Sequence, residues 1–216
     1  MWRSWLKVKA FATQDRHKKQ RRYMKNDIGS RLSATSKNGE VNASVVNKKN
    51  RLLYNSGNFE WYTPSEYIEA AREVMGSIDI DPASTALANE TVKAKTFYTK
   101  ETDGLTKEWK GNVWMNPPYK HALIVQFISV LLAKLKSEET KQAIVLVNNA
   151  TETKWFQALL EICNAICLPK KRIRFIDPSG RRNDGPLQGQ AVLYFGARVV
   201  EFRRVFATFG PILCKN

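Results

Sequence analysis

The sequence predicts an α/β protein built on a doubly wound sheet, and three observations carry that prediction. Apolar or alternating runs and helix-period stretches succeed one another from Thr63 onwards, giving about six strands with helices between most of them. Ala143-Ile144-Val145-Leu146-Val147 is continuously apolar and rich in β-branched residues, the pattern of a parallel strand covered on both faces. Ile78-Asp79-Ile80-Asp81 alternates as a strand and is turned by Pro82-Ala83-Ser84 into the helical stretch Thr85 to Ala94. In such strand-loop-helix units, ligands bind beyond the carboxyl end of the strand.

The chain begins with a strongly polarised segment. Met1 to Glu60 holds 14 Lys and Arg against 4 Asp and Glu, so it carries +10 of the total +15. Arg16 to Lys25 packs six Lys and Arg plus His17 around Tyr23, and Ser30 to Asn50 nearly lacks large apolar side chains. Residues 1–53 are therefore expected to form a loose basic arm, and residues 54–216 the folded domain. Order is expected from Trp61, where Thr63-Pro64-Ser65-Glu66 reads as an N-cap, a first-turn proline and a capping-box glutamate. Tyr67, Ile68, Ala71, Val74 and Met75 repeat at helical spacing up to Gly76, which suits a helix end.

Beyond the Ile78 unit, Thr96 to Thr99 is a short strand, Asp103-Gly104-Leu105 a turn, and Val113-Trp114-Met115 a buried strand. A helix beginning near Ala122 presents Ile124, Phe127, Ile128, Leu131, Leu132 and Leu135 on one face, and Glu138-Glu139 closes it. Asn148-Asn149 forms the polar exit of the Ala143 strand, and Thr151 is the expected cap of the next helix, with Trp155, Phe156, Leu159 and Ile162. Ala165 to Leu168 is a strand; Lys170 to Phe175 alternates basic and apolar residues, as an edge strand does. Asp177 to Gly185 is a long turn, Gln190 to Gly196 the last strand and Val199 to Phe209 the last helix.

Composition narrows the function classes. A net charge of +15 and a pI near 9.8 point to a polyanionic partner. The longest apolar run, Leu123 to Leu135, is interrupted by Gln126 and Lys134 and is shorter than the roughly 20 residues a bilayer requires, so no membrane span is expected. Met1 to Ala10 lacks the continuous apolar core of a secretory signal. The three cysteines, Cys163, Cys167 and Cys214, give no disulfide framework and suit a reducing cytoplasm; with histidines only at 17 and 121, no metal site is expected.

The strongest chemical signal is Asn116-Pro117-Pro118-Tyr119, directly after the Val113 strand. Two prolines supply no N–H and fix φ, and Pro117 drives Asn116 out of the helical region, which makes a stiff strand exit. The Asn116 side-chain oxygen and the Pro117 carbonyl suit the two N–H donors of an amino group on a planar base. Tyr119 offers an aromatic face on which that base can stack. Downstream, Phe175 is a candidate for the opposite wall, with Trp155 as another, and Arg172, Arg174, Arg181 and Arg182 are candidates for phosphate or base contact.

Glu60-Trp61-Tyr62-Thr63-Pro64, Ile78 to Ser84, Asp103-Gly104-Leu105, Asn116 to Tyr119, Val145 to Ala150, Lys154-Trp155-Phe156, Arg172 to Phe175 and Gln188-Gly189-Gln190 occur in that order. Together they resemble the phage-type Dam family of DNA N6-adenine methyltransferases, from about Tyr54 to Gly210. The resemblance implies a Rossmann-like class I fold, S-adenosyl-L-methionine as methyl donor, and a flipped adenine in double-stranded DNA as acceptor. It implies catalytic roles for Asn116, Pro117, Pro118 and Tyr119. Cofactor roles fall to Tyr62 and Thr63 at the first helix, Asp81 with Asp79 as second choice, Pro82, Ala83, Ser84 and Asp103. The turn departs from many methyltransferases in lacking Gly-x-Gly, and Asp81 and Ser84 also suit a plain helix cap. A monomer is favoured, and phage DNA modification against host restriction is the expected biological setting. RNA bases, protein glutamine, or an idle DNA-binding or anti-restriction protein are the alternatives.

Overall fold

Seven strands form one mixed sheet in the order β2-β1-β3-β4-β6-β5-β7. The computed structural model describes residues 61–177, 179–182 and 188–215; the expected basic arm, residues 1–53, lies outside the described residues. The strands are β1 (Ile80–Asp81), β2 (Thr96–Phe97), β3 (Gly111–Met115), β4 (Thr140–Asn148), β5 (Ala165–Cys167), β6 (Gln190–Phe195) and β7 (Ile212–Cys214). The helices are α1 (Ser65–Met75), α2 (Ala86–Val92), α3 (His121–Lys136), α4 (Lys154–Ile162) and α5 (Val199–Phe206). β2, β1, β3 and β4 run parallel, while β6 lies antiparallel between β4 and β5 and β7 pairs antiparallel with β5.

Alternation along the central strands divides the core into two layers. Trp114, Ile144, Leu146, Val192 and Tyr194 point to one face and meet Ile68, Val74, Val92, Phe202 and Phe206 from α1, α2 and α5. Val113, Met115, Val145, Val147 and Leu193 point to the other and meet Ile124, Ile128, Leu131, Phe156 and Leu159 from α3 and α4. Burial of every β4 residue from Ala143 to Val147 explains why that stretch is apolar throughout rather than alternating. Helices thus cover both faces, and the doubly wound expectation is met in its parallel half.

Several local expectations are corrected. Thr63 does not cap α1: the helix starts at Ser65 behind Pro64, with no side-chain cap, because the Thr63 hydroxyl is engaged elsewhere. Gly76 does end α1, at φ 84°. Thr85, not Ser84 or Asp81, caps α2 by accepting the Ala88 N–H at 3.0 Å. Thr153 rather than Thr151 caps α4, taking the Phe156 N–H. Arg172 to Phe175 form no strand; Ile173 and Phe175 are buried and Ile173 N–H donates to the Gln190 side chain at 3.0 Å. The last strand is β7, beyond α5, and Gly210 is what lets it dock, since a Cβ there would sit 2.0 Å from the Leu168 carbonyl oxygen. The short apolar run Ile212-Leu213-Cys214 behind Gly210-Pro211 was its sequence signal.

The β1–β3 junction is pinned by a polar cluster at the amino side of the strands. The carboxylate of Asp79 accepts the Asn112 N–H at 2.8 Å and the Ser77 hydroxyl at 3.1 Å, and pairs with Lys95 at 2.7 Å. These partners hold its pKa below the usual carboxylate value against the opposing effect of burial. The Asn112 amide donates to the Met75 carbonyl, and Gln142 bridges Asn112, Met75 and the Tyr194 hydroxyl. Gly111 has φ +94°, and a Cβ there would lie 2.4 Å from Asp79 Oδ2. Gly111→Ala therefore combines backbone strain with a collision, and is expected to destabilise the protein by about 2–4 kcal/mol. Urea unfolding measures this; a loss under about 1 kcal/mol would show that the junction yields at little cost.

Candidate active site

β1 and β3 are neighbours, yet β1 leads through α2 to β2 on one side, and β3 leads through α3 to β4 on the other. The two crossover helices pack on opposite faces. Such a switch point opens a crevice outside the carboxyl ends of the strands. Asp81 ends β1 and Asn116 follows β3, so the two strongest sequence candidates flank that crevice.

On the β3 side, Met115 is buried and Asn116 emerges half-buried. Its amide is held at both ends: Asn116 Nδ2 donates to Thr63 Oγ1 at 3.2 Å, and the Tyr119 hydroxyl donates to Asn116 Oδ1 at 2.9 Å. Pro117 is buried, which fixes the turn, and the Tyr119 ring lies half-buried against the core beneath α3 and α4. Burial pushes the Tyr119 hydroxyl pKa far above its ordinary value, so it remains a donor. An acceptor oxygen, a proline carbonyl position and an aromatic ring are thereby gathered in four residues.

On the β1 side, Asp81 is only 3% exposed. Its carboxylate accepts the Ala83 N–H at 3.2 Å and is further stabilised by the Ser84 side chain. Those contacts only partly offset desolvation, which pushes its pKa up to about 6. The Asp103 turn is brought against this loop. Gly104 packs so closely on Pro82 that a Cβ would lie 2.0 Å from the Pro82 oxygen, and Trp109 Nε1 donates to the Gly104 carbonyl at 2.8 Å. Asp103 itself adopts a left-handed conformation (φ 50°), is exposed, and takes the Leu105 N–H on Oδ1 at 3.2 Å.

The remaining sequence candidates separate from these two groups. Asp79 belongs to the strand clamp described above, where its oxygens are committed to Asn112, Ser77 and Lys95. Phe175 is 5% exposed and sits in the core layer of α1 and α5, the opposite face from the one that receives Tyr119. Trp155 is half-buried on the Tyr119 side, edge-on to Phe156 at 5.7 Å. Tyr62 pairs through its backbone with Ile176 at 2.8 and 2.9 Å, and Ile176 in turn pairs with Arg182. Arg172, Arg174, Arg181 and Arg182 are all exposed, Arg181 beside Asp177 and Ser179.

Sequence reasoning missed the part played by Gln188 to Gln190. Gln188 accepts from the Asn148 side chain, the Gly189 carbonyl accepts the Asn149 N–H at 3.0 Å, and buried Gln190 holds Ile173. A buried glutamine opening an apolar strand was the available signal. Among the described residues no group of three or more His, Cys, Asp or Glu can hold a metal ion, and no helix is long and apolar enough to cross a membrane.

Fold and site together define an α/β protein in which the switch point of the parallel strands is flanked by a buried carboxylate and an Asn-Pro-Pro-Tyr turn. The chain belongs to the Dam family of DNA N-6-adenine-methyltransferases, whose family pattern matches residues 52–208. A relative, the DNA N-6-adenine-methyltransferase of Haemophilus phage HP1 (strain HP1c1), is 30% identical over 138 residues, which is 62% of this chain and 77% of that protein.

Desolvation of Asp81 makes a stability prediction. Its folded pKa, about 6, exceeds the ordinary 3.8, so the folded state binds the proton more tightly than the unfolded state does. The destabilisation is therefore absent below 3.8, grows as pH rises towards 6, and is constant above it. Asp81→Asn is expected to stabilise the ligand-free protein by up to about 3 kcal/mol at neutral pH. The gain should vanish in urea titrations as pH approaches 3.8; a gain independent of pH would assign it to another cause.

Proposed function

We propose that this chain transfers a methyl group from S-adenosyl-L-methionine to the N6 amino group of an adenine rotated out of double-stranded DNA. The observation that carries this reading is the Asn116 amide, held by Thr63 and Tyr119 across the switch-point crevice from buried Asp81. Family membership supports the reaction class, as does the name of the phage relative; we extend the proposal to marking phage DNA against host restriction in the host cytoplasm.

The residues on the β1 side fit the cofactor by their chemistry. Asp81 is an acceptor short of donors in a buried place, which suits a ribose hydroxyl or an ammonium group. Pro82, Ala83 and Ser84 form the loop that would line it, Gly104 packs against Pro82, and the exposed carboxylate of Asp103 beside Gly104 suits a base amino group as acceptor. The first N–H groups of α1, reached through Tyr62 and Thr63, suit a carboxylate. S-adenosyl-L-methionine supplies an electrophilic methyl group when bound.

On the β3 side, Asn116 Oδ1 and the Pro117 carbonyl accept the two N6 hydrogens of adenine, which draws density to nitrogen and aims its lone pair. Tyr119 holds the ring by its face, a contact worth about 1–3 kcal/mol. This geometry would aim the lone pair in line with the methyl–sulfur bond, which would break to leave the neutral thioether, and the methylated nitrogen, acidic while it carries positive charge, would lose a proton to water. Positioning is thus the main contribution of the chain. Base rotation is required because a stacked adenine keeps its amino group inside the duplex. Exposed Arg172, Arg174, Arg181 and Arg182 are suited to phosphate contact beside this site.

Radiolabelled cofactor incubated with unmethylated DNA, RNA and protein acceptors tests the reading. Label is expected in N6-methyladenine of DNA and is expected to be lost in Asn116→Ala; label in RNA or protein instead would overturn the acceptor. Cofactor affinity carries a second expectation. Asp81 accepts hydrogen bonds with full strength only when ionised, so affinity should be level above about pH 6 and fall by about tenfold per pH unit below it. Calorimetry across that range checks this, and a level profile would remove Asp81 from the cofactor site.

A further inference from the structure

An amide has two ends of nearly equal size and opposite hydrogen-bonding sense, so a half-turn about its last torsion replaces an acceptor with a donor. An Asn116 turned the wrong way would set its NH₂ against the adenine amino group, donor against donor. Something in the fold has to select the orientation. Among the described residues, Thr63 Oγ1 and the Tyr119 hydroxyl are the side-chain groups bonded to this amide, one at each end.

We propose that the Thr63 hydroxyl is a positioning group that, paired with the Tyr119 hydroxyl, sets the orientation of the Asn116 amide, a role that rests on the base pocket proposed above. Either hydroxyl alone can donate or accept and would tolerate both orientations. They are chemically unequal, however. A phenol is the stronger donor and the weaker acceptor, and an aliphatic alcohol is the better acceptor. The favoured arrangement gives the phenolic proton to Asn116 Oδ1 and leaves Nδ2 for Thr63, which is the arrangement seen, at 2.9 and 3.2 Å. Oδ1 keeps a second lone pair for substrate.

The backbone makes Thr63 a fixed reference. Thr63 is 8% exposed, Pro64 follows it with φ −56°, and Tyr62 before it is bonded in both directions to Ile176. The backbone that carries the hydroxyl is therefore held from both flanks. A sequence reading makes Thr63 a helix cap; its observed partner is the reacting pocket instead.

The experiment compares Thr63→Val, Thr63→Ser and Tyr119→Phe in single-turnover methylation, with cofactor affinity measured separately by calorimetry. Thr63→Val keeps the shape and the main-chain N–H groups at the start of α1 that are offered to the cofactor, and loses only the hydroxyl; it is expected to lower the methylation rate by about tenfold with cofactor affinity within about twofold of the parent. Thr63→Ser restores the hydroxyl and is expected to recover most of the rate. Because loss of either hydroxyl already frees the amide, Thr63→Val/Tyr119→Phe should be about as slow as the slower single variant. Multiplying losses, an unchanged rate in Thr63→Val, or a loss confined to cofactor affinity would each overturn the positioning role. If Val at 63 prevents folding, Thr63→Ala serves the same comparison. Absence of N6-methyladenine with the unaltered protein, or retained activity in Asn116→Ala, would instead overturn the base pocket itself.

Discussion

The parallel pairing of β1 with β3 is the constraint on which the site depends. It makes neighbours of two strands whose onward helices go to opposite faces, and only at such a place do strand ends leave a crevice uncovered. The pairing has little of its own to hold it, since β1 is two residues long and its register with β3 is a single Cα pair, Ile80 with Val113. Side chains complete it. Asp79 exchanges with the Asn112 backbone, Asn112 reaches back to Ser77 and Met75, and Gly111 removes the one Cβ that would prevent the approach. A carboxylate committed to the fold thus fixes where the one two residues later stands.

That division between Asp79 and Asp81 marks what the sequence could convey. Both appear in one alternating run, and a difference of two residues, roughly 7 Å along a strand, decides which one lies at the ligand edge. The partners that commit Asp79 are Lys95 and Asn112, unremarkable residues 16 and 33 positions away. No local pattern announces them. The same holds for Thr63, whose local context, Thr-Pro-Ser-Glu, is a helix start in every respect save that Asn116, 53 residues on, engages the hydroxyl. Burial was legible where the apolar pattern is strong, continuous in β4 and helix-periodic in α3, because burial alone fixes those residues. Phe175 was not legible: a basic and apolar alternation reads as an edge strand, whereas Gln190 pulls Ile173 and its neighbours into the core without strand pairing.

Polar groups are distributed unevenly across the two ends of the sheet. At the amino end Asp79, Asn112, Gln142 and Tyr194 satisfy one another completely, and no buried side-chain nitrogen or oxygen among the described residues lacks a partner. At the carboxyl end Asp81 is buried with few donors, and its pKa rises as a result. A network built for stability would have supplied a cation there, as Lys95 does for Asp79. The contrast between two aspartates in one short segment separates a group that holds the fold from one buried at a cost in stability, a pattern that clusters at functional sites.

The basic loop and the pocket are joined through one short piece of backbone. Ile176 pairs with Tyr62 on one side and Arg182 on the other, so the segment carrying Arg174 to Arg182 is hydrogen-bonded to the residue that precedes Thr63. Thr63 in turn holds Asn116. The backbone that carries the exposed arginines is therefore tied by main-chain bonds, which are directional and short, to the segment that carries Thr63. This connection gives the Tyr62-Thr63 segment a physical reason to stand between the loop and the pocket, apart from any contact it makes with a cofactor. The turn from Asp177 to Arg181 is also internally bonded, the Asp177 carboxylate taking the Ser179 and Arg181 N–H groups at 2.8 and 3.0 Å. Bonds within the loop and to its neighbours together hold the exposed arginines on a defined backbone.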